Sequence, residues 1–198
     1  PTFSEAQLLE SIVKDFGITP RNNTKLGMVW ELNNFLLRES EAGNNLVLII
    51  DEAQNLKPSL LEQIRLLSNL ETEKDKLLQV ILVGQPELNN RLNLYDLRQL
   101  RQRIMVRYHI GPLDNDEIKL YINHRLEIAG KPGNNRIEFN DEAISMISRF
   151  SGGTPRLINM VCDRALLAGF VSETRQIDLN IIKKCVEELD SYFVGQNV

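Results

Sequence analysis

The most informative hydrophobic pattern in the chain is an apolar run that ends at two acids. Residues 46–50 are all apolar, follow a Gly-Asn-Asn turn, and are succeeded at once by Asp51 and Glu52. Side chains of a strand alternate between the two faces of a sheet, so a run without polar alternation predicts a strand buried on both faces, as in parallel sheets. Residues 77–83 form a second such run after a predicted helix, and we expect a right-handed parallel crossover unit.

Helical periodicity around these strands predicts helices that pack against them. A capping box at Ser4 and Gln7 begins the first helix, which ends at Gly17, and a second helix is expected from about residue 24 to 41. Pro58 suits the first turn of the helix between the two strands. The stripe of the second helix is interpreted as a packing face and consists of Leu26, Val29, Trp30, Leu32 and Leu36.

The chain changes character after Gly111, beyond which only helical patterns follow. Residues 1–111 are therefore predicted to form an α/β part with three parallel strands, the third over 104–110, and with helices on both faces of the sheet. Residues 112–198 are predicted to form an all-helical part. Its predicted elements are helices over 114–129, 141–150, from 154 onward and 178–192, with a polar turn over 131–136.

Composition and charge exclude only a few classes of function. The chain has 198 residues and a net charge of −4, which gives no general reason to expect binding to nucleic acid or to an anionic membrane, although a local basic cluster stays open. Cys162 and Cys185 have neither metal-ligand nor disulfide spacing and are expected to be buried free thiols in a reducing compartment. There is no run of membrane-spanning length and no signal peptide. Because the chain begins with Pro1, we expect a processed product or an excised fragment.

The two acids after the first strand suit hydrolytic chemistry. Ligands of open parallel sheets bind beyond the carboxyl ends of the strands, where Asp51 and Glu52 fall. One carboxylate can hold a hydrated Mg²⁺, and its neighbour can orient and activate an attacking water. This is the Walker B arrangement of nucleotide hydrolases. The alternative interpretation is an acidic pair that is simply solvated at a strand end.

Other polar residues at element ends are candidates for the same chemistry. Gln85 follows the second strand and is positioned to bond an attacking water or a terminal phosphate, although many such residues are ordinary loop residues. Arg98, Arg101 and Arg103 spread over more than one helix face. They fit a solvated helix end, an arginine presented to the phosphates of a neighbouring subunit, or a basic groove for nucleic acid. Arg156 opposes the dipole of the helix whose first turn it occupies, so an anion would explain it.

The order of these motifs resembles that of AAA+ ATPases. More narrowly, it resembles the ExeA or GspA family, the general secretion pathway protein A ATPases of bacterial type II secretion, with pilus-biogenesis and transposition ATPases as relatives. The likeness covers nearly the whole chain. The stretches that carry it are residues 51–56, 66–72, 83–88, 97–104 and 152–159.

The resemblance implies a role for each candidate residue. Asp51 would be the Mg²⁺ residue and Glu52 the catalytic base, with Gln85 as sensor 1. The remaining candidates are Arg156 as sensor 2 on a helical lid, Arg103 as an arginine finger that acts in trans, and Arg101 as the reserve for that finger. Since such a finger requires a neighbour, the resemblance also implies a ring, expected to be a hexamer, in the intact parent.

One family motif is missing from the sequence. No stretch fits GxxxxGK[ST], the phosphate-binding loop whose backbone N–H groups and Lys hold the phosphates. We therefore expect an N-terminally truncated fragment that lacks the first two strands of the family sheet and that alone neither binds nor hydrolyses ATP. The unpaired strand edges that remain would favour strand swapping or association between chains.

Three functions are compatible with the sequence. The resemblance favours a module at the cytoplasmic face of the bacterial inner membrane, where ATP and Mg²⁺ would drive assembly of the secretin channel with a B-type partner of the secretion pathway. Contact with the membrane would then come only through a missing downstream segment. The alternatives are a transposition or DNA-remodelling ATPase, which would bind DNA in a salt-dependent manner, and a scaffold without catalytic activity.

Overall fold

A computed structural model describes residues 4–72, 75–130 and 137–194 of the chain. The chain divides into two compact units, Pro1–Arg107 and Tyr108–Val198. The polar turn predicted over residues 131–136 lies outside the described residues. No helix within the described ranges has the length and apolarity needed to cross a lipid bilayer.

In the first unit, helices pack on one face of two short parallel strands. The side chains of Ser4 and Thr24 accept hydrogen bonds from backbone N–H groups at the starts of the first two helices, as the cap preferences of these residues predict. Pro58 opens the helix between the strands, where its missing N–H costs nothing. The elements are α1 (Glu5–Asp15), α2 (Lys25–Glu41), β1 (Val47–Ile50), α3 (Pro58–Leu67), β2 (Gln79–Leu82), α4 (Glu87–Leu92) and α5 (Arg98–Arg103).

The two strands pair in parallel, as predicted. Val47 lies opposite Gln79, and Ile50 lies opposite Leu82. The predicted burial on both faces is wrong, however. Leu48 is buried, whereas the next residue, Ile49, is 62% exposed, because alternate side chains point to opposite faces and helices pack on only one of them in the part of the chain described here.

The third predicted strand is also wrong. Residues 104–110 form no ladder, and the sheet in this unit has only β1 and β2 among the described residues. Most side chains of this stretch are exposed, and Met105 is the extreme case at 89%. The apolar, β-branched composition that suggested a strand is insufficient, because a strand also needs a partner for its backbone N–H and C=O groups.

The packing face predicted for α2 was only partly correct. Leu32 and Leu36 are buried together with Met28, whereas Leu26 and Trp30 are exposed. With 3.6 residues per turn, positions 28, 32 and 36 follow one line along the helix, and positions 26 and 30 follow another. The prediction from the sequence had assigned residues of these two helix faces to a single packing face.

The second unit is mainly helical but contains a small sheet. The prediction of an all-helical part is therefore wrong in this detail, because two parallel two-residue strands pair Phe139 with Ile177. A strand of two residues is too short to leave a recognisable pattern of apolar and polar positions in the sequence. In the structure, Ile177 of this pair is buried in the core of the second unit. The elements are α6 (Asn115–Ala129), β3 (Glu138–Phe139), α7 (Asp141–Ser151), α8 (Pro155–Val171), β4 (Gln176–Ile177) and α9 (Leu179–Val194).

Both cysteines are free thiols in this unit. Burial raises the pKa of Cys162 to about 12, and burial also raises the pKa of Cys185. Because only the thiolate is a good nucleophile or metal ligand, both side chains are expected to be unreactive near neutral pH. They act as small apolar residues of the core.

Candidate functional site

The acids after β1 and the loop after β2 are joined by backbone hydrogen bonds. The N–H of Val83 donates to the carbonyl oxygen of Ile50 at 2.9 Å, which extends the parallel pairing by one step. The N–H of Ala53 then donates to the carbonyl oxygen of Val83 at 2.9 Å. Asp51 and Glu52 lie between these two bonds in the chain, so the structure places the acids beside the end of β2.

Asp51 is exposed and available to an external cation. Its Oδ1 accepts a hydrogen bond of 2.8 Å from the N–H of Glu52, and no described residue donates to its second oxygen. The described part of the chain contains no group of three His, Cys, Asp or Glu side chains that would enclose a metal. A single free carboxylate oxygen fits Mg²⁺, which keeps several waters and takes phosphate oxygens as further ligands.

Glu52 has an unusual backbone conformation. Its φ is +54°, in the left-handed region that costs an L-residue about 1–2 kcal/mol. The chain turns at this residue from β1 into a 3-10 turn, Ala53–Asn55. Backbone strain of this kind is concentrated at functional sites, because only function or rigid surroundings maintain it.

The strain at Glu52 leads to a stability prediction. Glu52→Gly should be more stable than Glu52→Ala by about 1 kcal/mol, because both variants lose the carboxylate and only alanine keeps a Cβ in the left-handed region. Urea unfolding of the two variants measures the difference. The control position is Glu10, an exposed residue inside α1, where alanine should be the more stable by about 1 kcal/mol. The same order at both positions would contradict the prediction.

Gln85 is linked to Glu52 through a residue that sequence analysis missed. The Nε2 of Gln54 donates to Oε2 of Glu52 at 2.5 Å, and its Oε1 accepts from the backbone N–H of Gln85 at 3.1 Å. The side chain of Gln85 is exposed and makes no hydrogen bond to another described residue. The only sequence signal for Gln54 is its place two residues after the acids.

The two candidate finger arginines lie on α5 and differ in their surroundings. Nη1 of Arg101 donates to Oδ1 of Asn93 at 3.3 Å, and this side chain is partly buried. Arg103 ends the helix and is exposed. The pKa of Glu71 is lowered mainly by Lys76, with a smaller contribution from Arg103. Neither arginine bonds to Asp51, Glu52 or Gln85 within the described residues, and a role in trans stays a prediction.

Arg156 belongs to the second unit. It is exposed in the first turn of α8, directly after Pro155, and it forms no ion pair with another described residue. The preceding Gly152 and Gly153 both have positive φ values, +53° and +78°. These glycines set the direction in which the chain enters α8. Whether Arg156 reaches a phosphate stays a prediction.

The residues present fit a bound triphosphate less well than they fit Mg²⁺. The 198-residue sequence has no GxxxxGK[ST] loop, so it lacks the nest of backbone N–H groups and the lysine that hold β- and γ-phosphates in P-loop proteins. The chain supplies acidic and amide groups for water and cation but no recognised phosphate cradle.

Comparison with known sequences gives two matches. A family model described as an AAA domain matches residues 1–92. General secretion pathway protein A of Aeromonas hydrophila is 43% identical over 180 residues, which cover 89% of this chain and 32% of that protein. The chain thus spans about a third of the length of this curated relative.

Comparison with solved structures shows the same fold in three proteins. The ADP form of the ORC2 protein of Aeropyrum pernix has a TM-score of 0.67 at 15% identity. The match covers 93% of this chain and 50% of the ORC2 chain. Cdc6p of Pyrobaculum aerophilum has a TM-score of 0.64 at 20% identity, with coverages of 93% and 49%. The RuvB Holliday junction branch migration motor of Thermotoga maritima has a TM-score of 0.58 at 17% identity, with coverages of 93% and 67%.

Proposed function

Because this chain belongs to the AAA+ ATPases, in the family of general secretion pathway protein A, we propose that it carries the water-activating side of an ATP-hydrolysing site. The module would couple ATP hydrolysis to assembly of the secretin and the envelope machine. It would act as a ring, expected to be a hexamer, at the cytoplasmic face of the inner membrane. The secretion context is inferred from the name of the relative, and the B-type partner is what the family resemblance of the motifs implies.

The observation that carries this proposal is the position of the candidates in the first unit. Asp51 and Glu52 follow β1, and Gln85 follows β2, its parallel neighbour. In parallel sheets this end of the strands is where ligands bind. A purely solvated acidic pair would not require the buried Gln54, whose amide joins Glu52 to the backbone of Gln85.

Each residue has a distinct task in the proposed reaction. Asp51 would provide one oxygen ligand to Mg²⁺, which would supply neutralisation of charge on phosphate oxygens. Glu52 orients the attacking water and accepts its proton. The side-chain amide of Gln85 donates a hydrogen bond to a phosphate oxygen or fixes the water by accepting one. Arg103 of one subunit would stabilise charge on the phosphates in a neighbouring subunit, and Arg156 keeps the sensor 2 role that the family resemblance implies.

The absence of a phosphate-binding loop gives a test of this assignment. The 198-residue chain alone should show no ATP binding at low micromolar concentration in calorimetry, whereas the full-length protein should release phosphate from ATP in the presence of Mg²⁺. Low-micromolar binding to the isolated chain would mean that its own residues form the phosphate site. Absence of ATP hydrolysis by the full-length protein would contradict the proposed function itself.

A further inference from the structure

Gln54 is a buried polar residue with both ends of its amide in use. It is 7% exposed, although it lies beside two exposed acids. Its Nε2 donates to Oε2 of Glu52, and its Oε1 accepts from the N–H of Gln85. A buried amide without partners is costly, so these two bonds largely fix where the side chain lies.

The two partners also determine which way round the amide sits. Glu52 offers a carboxylate oxygen, which accepts hydrogen bonds, and Gln85 offers a backbone N–H, which donates one. Rotating the amide by half a turn would place oxygen against oxygen and N–H against N–H. The orientation with Nε2 toward Glu52 is therefore the only one that satisfies both partners.

A glycine makes the close approach possible. A Cβ built on Gly84 would lie 2.6 Å from Oε1 of Gln54. Any larger residue at position 84 would displace the amide from the N–H of Gln85. The absence of a side chain at Gly84 is therefore what leaves room for the amide of Gln54 beside the loop after β2.

Resting on the proposed hydrolase function, we propose that Gln54 is the positioning residue of the site. Its Nε2 occupies one oxygen of the Glu52 carboxylate and leaves the other oxygen to receive the proton of the attacking water. Its Oε1 accepts from the backbone N–H of Gln85 and so links this carboxylate to the residue that is proposed to bond the water or a phosphate oxygen. Gln54 acts through these two residues and does not contact the water.

Kinetics of the full-length protein test this role. Gln54→Leu should lower kcat for ATP by about tenfold to a hundredfold, the range expected when a reacting group is misplaced by about 1 Å, and should leave KM within about twofold. In a Glu52→Gln background the same substitution should cause no further loss, because Gln54 acts through the carboxylate already removed. The matched control is Gln63→Leu, a buried glutamine of α3, which should keep wild-type kcat.

A second variant separates positioning from misfolding. Gly84→Ala keeps Gln54 but displaces its amide, so it should lower kcat in the same direction as Gln54→Leu. Amide hydrogen exchange should be faster at Gln85 in both variants and unchanged in Gln63→Leu.

The outcomes distinguish the two proposals. If Glu52→Gln leaves ATP turnover unchanged, the proposal that this chain supplies the water-activating base fails, and the positioning role fails with it. If Glu52→Gln blocks turnover but Gln54→Leu retains wild-type kcat, only the positioning role fails. If the loss of kcat in the double variant equalled the product of the losses in Glu52→Gln and Gln54→Leu, the positioning role would also be overturned. Gln54 would then act independently of Glu52.

Discussion

Glu52→Gln in the full-length protein is expected to lower kcat for ATP by about 10²–10⁴-fold, the usual contribution of a positioned general base. Glutamine keeps the size of the side chain and can still accept a hydrogen bond from Gln54, but its amide cannot take a proton from water. KM for ATP should change little, because the carboxylate serves the transition state more than binding. Phosphate release under saturating ATP and Mg²⁺ measures the effect.

The control for this prediction is Glu10→Gln, which makes the same chemical change at an exposed position of α1. It should retain wild-type turnover. If Glu52→Gln and Glu10→Gln were both as active as wild type, the acids after β1 would be solvated residues that take no part in ATP hydrolysis, and the proposed role of Glu52 would be wrong.

Gly153→Ala is expected to destabilise the second unit by about 3 kcal/mol, combining a left-handed backbone cost with overpacking. The φ of Gly153 is +78°, and a Cβ there would lie 2.2 Å from the carbonyl oxygen of Leu113. The space cannot be opened cheaply, because the N–H of Leu113 donates to the carbonyl oxygen of Gly153 at 3.0 Å and holds the two segments together. Urea or thermal unfolding measures the loss.

Gly152→Ala provides the matched comparison. Its φ of +53° carries the same kind of backbone cost, but no atom of a described residue, apart from its two chain neighbours, lies within 4 Å of a Cβ at this position. A loss of about 1 kcal/mol is therefore expected. Equal losses at positions 152 and 153 would show that contact with Leu113 contributes nothing, and that backbone conformation alone selects both glycines.

The part of the candidate site that follows each strand could be predicted from the sequence. Two apolar runs separated by a helix predicted parallel neighbours, and the parallel pairing of β1 with β2 is confirmed. Because parallel strands end at the same edge, Asp51, Glu52 and Gln85 were expected close together. Their catalytic roles stay predictions.

Other parts of the site could not be predicted in the same way. Gln54 falls in an irregular turn, where no period assigns a face, and its two partners are 2 and 31 residues away in the chain. The left-handed backbone of Glu52 is equally hidden, since glutamate has no preference for that region. Both features arise where the turn after β1 is held by backbone hydrogen bonds against the end of β2.

The sequence by itself determined the main helices, side-chain caps such as those at Ser4 and Thr24, and the two parallel strands, because these depend on side-chain period and on neighbours a few residues apart. The cap predicted at Thr154 is wrong, because its side chain accepts no hydrogen bond at the start of α8. Only the tertiary structure decided which faces are covered. Ile49 and residues 105–110 have the composition of buried strands, yet they are exposed where no partner element packs on them among the described residues. It also decided that Gln54 joins the two strand ends, because burial and hydrogen-bond partners are properties of segments distant in the chain.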